Sequence, residues 1–170
     1  LVDLSGMDGI RIDSTNRRAS VGPGLRWGPF HAAAIEEGLA PVGGTVSTVG
    51  VAGLTLGGGS GWLSRKFGLA LDNLLGVELV TADGRILEVN ERTEPDLFWG
   101  VRGSAGNLGI ATRFDFRLHP MRSRIVFGHL FFHLRDAGEV LRQVRERYPA
   151  TPAEFCLFPA MLRIPPIDAF

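Results

Sequence analysis

Cysteine, net charge and long hydrophobic runs are scarce or missing in this 170-residue sequence. A single cysteine, Cys156, excludes an internal disulfide framework and any metal or iron–sulfur site built from several cysteines, and it suits the reducing cytoplasm. Eighteen basic residues balance eighteen acidic ones, so no overall field favours nucleic acid or an anionic membrane as a partner. No window reaches the ~20 apolar residues that a membrane-spanning helix needs. The composition therefore favours a cytoplasmic, globular protein with neither kind of partner.

The two ends of the sequence do not resemble the ends of a domain. It begins without methionine in a strand-like run, and it closes on the proline-containing residues 164–170. A chain of this length is expected to hold one domain, or one domain and part of a second. We therefore predict a piece of a longer protein, cut at both ends.

Glycine is concentrated in one uncharged segment, residues 43–61, which holds eight of the 23 glycines. Glycine has no Cβ and reaches positive φ angles, so a run of this kind can bring main-chain N–H groups close to phosphates. Because the segment contains no acid or base, it favours a binding site for a large anionic cofactor over a proteolytic or metal site.

The sequence comes close to four common kinds of site but lacks a required residue or spacing in each. A Walker A loop needs a lysine and a hydroxyl residue directly after its last glycine, but Lys66, the only lysine, follows an arginine. In the dinucleotide fingerprint G-x-G-x-x-G, Trp62 stands where the last glycine belongs. The run 58–62 is one residue short of the nucleophile elbow of hydrolases. His129 and His133 would lie ~13 Å apart along one predicted strand, so they cannot share a metal ion.

Hydrophobic periodicity predicts a mixture of helices and antiparallel strands. A helix is expected over residues 29–38, between a starting proline and a closing glycine. Residues 74–90 indicate a β-hairpin, because Asp83-Gly84 is typical of a type I′ turn. Alternation over 110–118 predicts a further strand. Since hairpins link some of the strands, the fold class is α+β and not a doubly wound parallel sheet.

The composition changes near residue 120, where glycine becomes scarce and aromatic residues become more frequent. We place a domain boundary there, so that residues 1–120 and 121–170 form two units. In the second unit, strands are predicted at 125–134 and 154–162. An amphipathic helix lies between them and starts in what resembles a capping box at Asp136.

Four short motifs occur together in the first unit. They are G-G-T-V-S-T-V-G-V-A-G at 43–53, G-G-G-S-G-W-L-S-R-K-F-G-L-A-L-D-N at 57–73, D-L-F-W at 96–99 and G-N-L-G-I-A-T at 106–112. In order and spacing they resemble the berberine bridge enzyme-like branch of the vanillyl-alcohol-oxidase family of flavoproteins. The resemblance implies that residues 1–120 are part of an α+β, PCMH-type FAD-binding domain lacking its N-terminal part. It implies that residues 121–170 begin a substrate-binding domain with an antiparallel sheet.

The resemblance also implies FAD as the cofactor, with its pyrophosphate held by main-chain amides of two glycine loops. The first loop carries an R-G-G-G-H-type motif whose histidine often bonds the flavin covalently, and it would lie upstream of Leu1. The 170 residues alone are therefore expected to bind FAD poorly and to be inactive. The positions that carry over as cofactor contacts are Gly43, Gly44, Thr45, Ser47, Thr48, Gly50, Val51, Gly53, Gly58, Gly109 and Ile110.

These positions divide by the part of the cofactor that each would meet. The glycine and hydroxyl residues within 43–50 would approach the pyrophosphate and ribityl chain, and Gly53 and Gly58 would allow close packing to the flavin. Gly109 and Ile110 resemble main-chain contacts to the adenosine half.

The resemblance implies that two valines bear on how the flavin is attached and what it reacts with. Val46 stands where bicovalent relatives have a cysteine that bonds the flavin, so a second covalent link is excluded. Val51 occupies a position that lines the path of dioxygen, and valine there favours an oxidase over a dehydrogenase.

The resemblance implies a reaction in which a substrate C–H next to oxygen or nitrogen gives hydride to flavin N5 while a base takes a proton. Electrons would then pass to dioxygen, so the partners are a small-molecule substrate and dioxygen. No catalytic residue is identified, because Asp72 and Arg65 are better explained as structural residues. The substrate and the oligomeric state stay open. One alternative also remains, a non-catalytic binding or interaction module or a degenerate remnant of such a flavoprotein.

Overall fold

Residues 1–121 and 125–161 are described by a computed structural model of the chain. The chain divides into two compact units, Leu1–Ser123 and Arg124–Phe170. Within the described residues, no helix combines the length and the apolar character needed to cross a bilayer. The division falls close to residue 120, where the composition changes. That the second unit begins a substrate-binding domain remains a prediction.

The first unit is built on a six-stranded sheet in which every pairing is antiparallel. Its strands are β1 (Ile10–Asp13), β2 (Arg18–Val21), β3 (Leu39–Pro41), β4 (Leu74–Val80), β5 (Ile86–Asn90) and β6 (Ile110–Pro120). The order β1-β2-β6-β4-β5 puts the longest strand, β6, at the centre, and β3 pairs with the end of β6. The predicted α+β class is confirmed.

Four α-helices accompany the sheet in the described part of the first unit, besides a 3-10 turn at Leu71–Asn73. They are α1 (Trp27–Glu36), α2 (Val51–Leu56), α3 (Ser64–Phe67) and α4 (Pro95–Val101). In α1, Trp27, Phe30 and Ala34 are fully buried, and their spacing of three and four places them on one helix face. The Phe30 ring lies 5.6 Å from the ring of Phe116 in β6. Helix α1 therefore packs on the apolar face of the sheet.

Strand β6 separates an apolar face from a polar face. Its inward side chains, Phe114, Phe116 and Leu118, are at most 1% exposed. On the other face, the Arg113 guanidinium donates to the Glu88 carboxylate at 2.6 Å. The alternation predicted from the sequence is confirmed, and it directs the core toward α1.

The β4–β5 hairpin forms as predicted, but its turn is of a different type. Thr81 N–H donates to the Arg85 carbonyl, and Gly84 N–H donates to the Thr81 carbonyl. Gly84 has φ +81°, whereas Asp83 is not among the residues with positive φ. Three residues thus separate Thr81 from Arg85, which matches a type I turn followed by a left-handed glycine. The predicted type I′ turn is wrong because it would need two loop residues, both at positive φ.

The second unit contains the predicted helix but not the predicted strands. Helix α5 spans Ala137–Arg147. Residues 125–133 and 154–161 have no strand structure, so the strands expected at 125–134 and 154–162 are wrong for the described residues. A strand needs a neighbour to complete its main-chain hydrogen bonds, and none pairs with these residues within the described part of the unit. The antiparallel sheet lies in the first unit.

The start of α5 also differs from the expectation. Asp136 makes no side-chain capping bond. Glu139, the other half of the expected capping box, instead accepts hydrogen bonds from Arg142 and Gln143 on its own helix. The carboxylate is therefore used in i,i+3 and i,i+4 pairs and not at the helix end.

Candidate cofactor-binding site

The first part of the glycine segment is fixed by the start of α1. Trp27 N–H donates to the Val49 carbonyl at 3.0 Å, and Gly28 N–H donates to the Ser47 carbonyl at 2.9 Å. The Trp27 side chain is fully buried, and a Cβ on Gly43 would lie 2.1 Å from its ring. Only glycine fits at that position, so the indole determines where the segment begins.

Residues 45–50 continue the segment as an exposed loop. Within the described residues, the main-chain N–H groups of Thr45, Val46, Ser47 and Thr48 donate no hydrogen bond to the protein. Consecutive main-chain N–H groups of this kind can bind an anion, because phosphate oxygens supply the missing acceptors. The two carbonyl bonds to α1 hold this backbone in place.

Helix α2 follows the loop directly. Val51 N–H donates to the Leu25 carbonyl at 2.8 Å, and the Val51 side chain is fully buried. A Cβ built on Gly50 or Gly53 would meet nothing within 4 Å. These two glycines therefore border open space, and the chain's own packing does not require them.

The glycines at 57–61, at the end of the segment, lie against its beginning. A Cβ on Gly61 would lie 1.7 Å from the carbonyl oxygen of Gly43, so the two backbones are in close contact. Gly58 has φ +116° and Gly59 has φ +80°, conformations that L side chains rarely adopt. The chain thus folds back on itself only because glycine occupies these positions.

The glycines at 103–109 lie near the other end of α2. The N–H groups of Gly103 and Ala105 both donate to the Leu56 carbonyl at 3.0 Å. Helix α2 has six residues, or about 9 Å of length, and therefore connects the exposed loop at 45–50 to residues 103–105. Gly109 has φ +149°, and a Cβ there would lie 2.6 Å from the Val80 carbonyl oxygen.

The predicted contact residues fall into three groups in the structure. The exposed ones are Thr45, Ser47, Thr48, Gly50 and Gly53, and the buried ones are Gly43, Gly44, Val51 and Gly58. These nine lie in or next to the glycine segment and α2. Gly109 and Ile110 instead contact β4, where Ile110 pairs with Val80. Their assignment to the adenosine half remains a prediction, as does the dioxygen path at Val51.

A groove on the polar face of the sheet contains none of these residues. Its lining includes Arg11, Asp13, Arg18, Glu88 and Asp115, with both signs of charge. Acids beside arginines do not favour a dianionic group. The exposed loop at 45–50, with open N–H donors and no acid, is the better candidate for the cofactor.

Two side chains that shape the site were not found from the sequence. Trp27 stands beside Gly28 in the sequence, but its contact with Gly43 depends on the fold. Asn73 closes the motif at 57–73, but its distant partner, His119, could only be found from the fold.

Histidines and acids near the segment have structural contacts. His31 is half-buried with Nε2 3.4 Å from the Gly44 carbonyl oxygen, and burial lowers its pKa. Asp72 accepts the N–H of Leu69 at 2.7 Å, a structural contact. Within residues 1–121 and 125–161, no three metal-ligating side chains gather.

Comparison with known proteins agrees with this geometry. The family described as "FAD binding domain" matches residues 1–90, more than half of the chain. The chain belongs to the FAD-binding domain family. The predicted cofactor, FAD, is thereby confirmed for this domain.

Individual members of the family give the same result. (R)-6-hydroxynicotine oxidase of Paenarthrobacter nicotinovorans is 39% identical over 130 residues, which are 76% of this chain and 28% of the relative. The xylooligosaccharide oxidase structure from Myceliophthora thermophila has a TM-score of 0.68 and 38% identity, covering 70% of this chain and 25% of that one. Physcomitrella patens BBE-like 1 has a TM-score of 0.66 and 41% identity, covering 68% and 25%. The resemblance to the berberine bridge enzyme-like branch is confirmed, and the chain spans about a quarter of the length of these relatives.

The residues present fit FAD as a ligand. The four open N–H groups at 45–48 are suited to a diphosphate, and the open Cβ positions at Gly50 and Gly53 leave room for a bulky group beside the backbone.

Proposed function

We propose that this chain is part of an FAD-dependent oxidase that removes hydride from a C–H bond next to oxygen or nitrogen in a small organic substrate. Dioxygen is the proposed electron acceptor. The observation that supports this most directly is the open row of main-chain N–H groups at 45–48, anchored to α1, in a chain 39% identical to a nicotine oxidase.

Bound FAD would supply the hydride acceptor, chemistry that no amino-acid side chain offers. The residues of this chain bind and orient. The N–H groups of Thr45 to Thr48 would hold the diphosphate, and Gly50 and Gly53 would leave its approach free of side chains. Val46 offers no sulfur for a covalent bond to the flavin.

The substrate class follows from chemistry that the relatives' names share. A hydroxynicotine has C–H bonds next to nitrogen, and a xylooligosaccharide has C–H bonds next to oxygen. We propose a substrate with either kind of bond. Val51, next to the loop, is consistent with dioxygen as the acceptor, and a single cysteine suits a cytoplasmic location.

The direct test uses the whole protein that contains these residues. It should purify with the visible absorbance of bound flavin, or gain that absorbance when FAD is added. With a secondary amine or an oligosaccharide as substrate, aerobic turnover should release hydrogen peroxide.

Two results would count against the proposal. A colourless protein that ignores added FAD would overturn flavin binding altogether. A flavoprotein that oxidises substrate with an artificial acceptor but makes no peroxide in air would be a dehydrogenase instead.

A further inference from the structure

Asn73 is one of two buried polar residues in the described part of the chain, with 1% of its surface exposed. The other, Thr55, donates to the Val51 carbonyl of its own helix. Asn73 instead joins separate segments. Its Nδ2 donates to the carbonyls of Phe67 and Leu69, at 2.9 and 2.8 Å, and so fixes the chain between α3 and β4.

The other end of the Asn73 amide reaches strand β6. Since Nδ2 donates both of its hydrogens to carbonyls, Oδ1 must be the acceptor toward His119, whose Nε2–H lies 2.7 Å away. The His119 ring also stacks on Phe67, with centroids 3.8 Å apart. One buried amide therefore holds the loop after α3 against the central strand.

The same loop holds the glycines of the FAD-binding segment. Ala70 N–H donates to the Gly59 carbonyl at 2.7 Å, and Leu71 N–H donates to the Gly58 carbonyl at 3.0 Å. Gly61, two residues after Gly59, contacts the backbone of Gly43, where the glycine segment begins. A continuous set of contacts thus leads from His119 through Asn73 to the start of that segment.

We propose that Asn73 is a positioning residue for FAD binding, which fixes residues 67–71 and through them the glycines at 58–61. This inference rests on the proposed function, because it assumes that the glycine segment receives the cofactor. Asn73 touches no reacting atom. Its contribution is to order the segment before FAD binds, so that less ordering remains to oppose binding.

The test compares Asn73→Ala with Asn90→Ala in the whole protein. Asn90 is a matched control, since its Oδ1 accepts the N–H groups of Arg92 and Thr93 in a turn outside the glycine segment. Three quantities are measured in each variant: the FAD dissociation constant by flavin fluorescence, amide hydrogen exchange of residues 58–61, and the midpoint of urea unfolding.

Asn73→Ala is expected to weaken FAD binding by about tenfold or more and to speed exchange at 58–61, since two carbonyls lose their donor. Asn90→Ala should lower the unfolding midpoint while leaving FAD affinity and that exchange unchanged. If Asn73→Ala does not fold, His119→Phe replaces it, because it keeps an aromatic ring on Phe67 and removes only the donor to Oδ1. His119→Gln, which restores an N–H donor, should recover affinity.

Equal losses of FAD affinity in the Asn73 and Asn90 variants would overturn the inference, because they would reflect general destabilisation. Unchanged affinity and exchange in Asn73→Ala, or in both His119 variants, would overturn it as well. Failure of the proposed function looks different, since the unmodified protein would then bind no FAD.

Discussion

The glycine segment has two parts that need glycine for opposite reasons. We call its two ends, at Gly43 and Gly61, the inner half, and its middle, at Gly50 and Gly53, the outer half. In the inner half, a Cβ on Gly43 would lie 2.1 Å from the Trp27 ring and one on Gly61 would lie 1.7 Å from the Gly43 carbonyl oxygen. In the outer half, a Cβ on Gly50 or Gly53 would touch nothing within 4 Å. Folding therefore requires the inner glycines, and the outer ones leave space for something outside the chain.

This difference separates the two explanations of a glycine-rich segment. If the glycines served only as turns in a compact fold, each should be tightly packed or held at positive φ. Gly50 has φ −70° and ψ 141°, which any residue adopts, and Gly53 lies within α2, where glycine is unfavourable. The outer half thus has glycines that folding does not explain, as expected of a surface that receives a ligand.

The largest effect is expected from Gly43→Ala in the inner half. The added methyl group would overlap a rigid, fully buried indole, and we expect a loss of about 3 kcal/mol in unfolding free energy. Urea unfolding of the purified chain measures it. The control is Gly50→Ala, which should change stability by less than ~0.5 kcal/mol. Similar losses in both variants would remove the distinction between the halves.

An effect of opposite sign is expected from Gly53→Ala in the outer half. Alanine at a helical position should stabilise the chain by roughly 0.5–1 kcal/mol relative to glycine. The same methyl group would occupy the open space beside α2, so FAD affinity of the whole protein should fall by about tenfold, or ~1.4 kcal/mol. Thermal unfolding and flavin fluorescence titration measure the two effects. Unchanged affinity would mean that the cofactor does not approach this face.

Sequence patterns predicted the features that depend on residues close together in the chain. Alternation in β6 gave its buried face, and the Asp-Gly pair gave the β4–β5 hairpin, although not its turn type. The apolar pattern at 125–134 led to the prediction of a strand that does not form there. It reports which side chains are apolar, and it does not report whether another strand lies alongside.

Contacts between distant residues could not be predicted in this way. Trp27 and Gly43 are 16 positions apart, and Asn73 and His119 are 46 apart. The glycine content of residues 43–61 indicated a backbone that can approach a ligand closely. Only the fold shows that Gly43 is shaped by an indole while Gly53 borders open space.

The smallest expected effect concerns His31, which lies against the inner half with Nε2 3.4 Å from the Gly44 carbonyl oxygen. Burial lowers the pKa of His31 below its usual 6.5, so the unfolded chain takes up this proton first as the pH falls. Between pH 7.5 and 5.5 the unfolding free energy should therefore decrease.

His31→Gln removes this contribution and should lose less stability over the same range. His119, whose pKa is also lowered by burial, is present in both proteins and cancels in the comparison. Urea unfolding at the two pH values measures the difference, and a steeper loss in His31→Gln would show that the ring is not held neutral by burial beside Gly44.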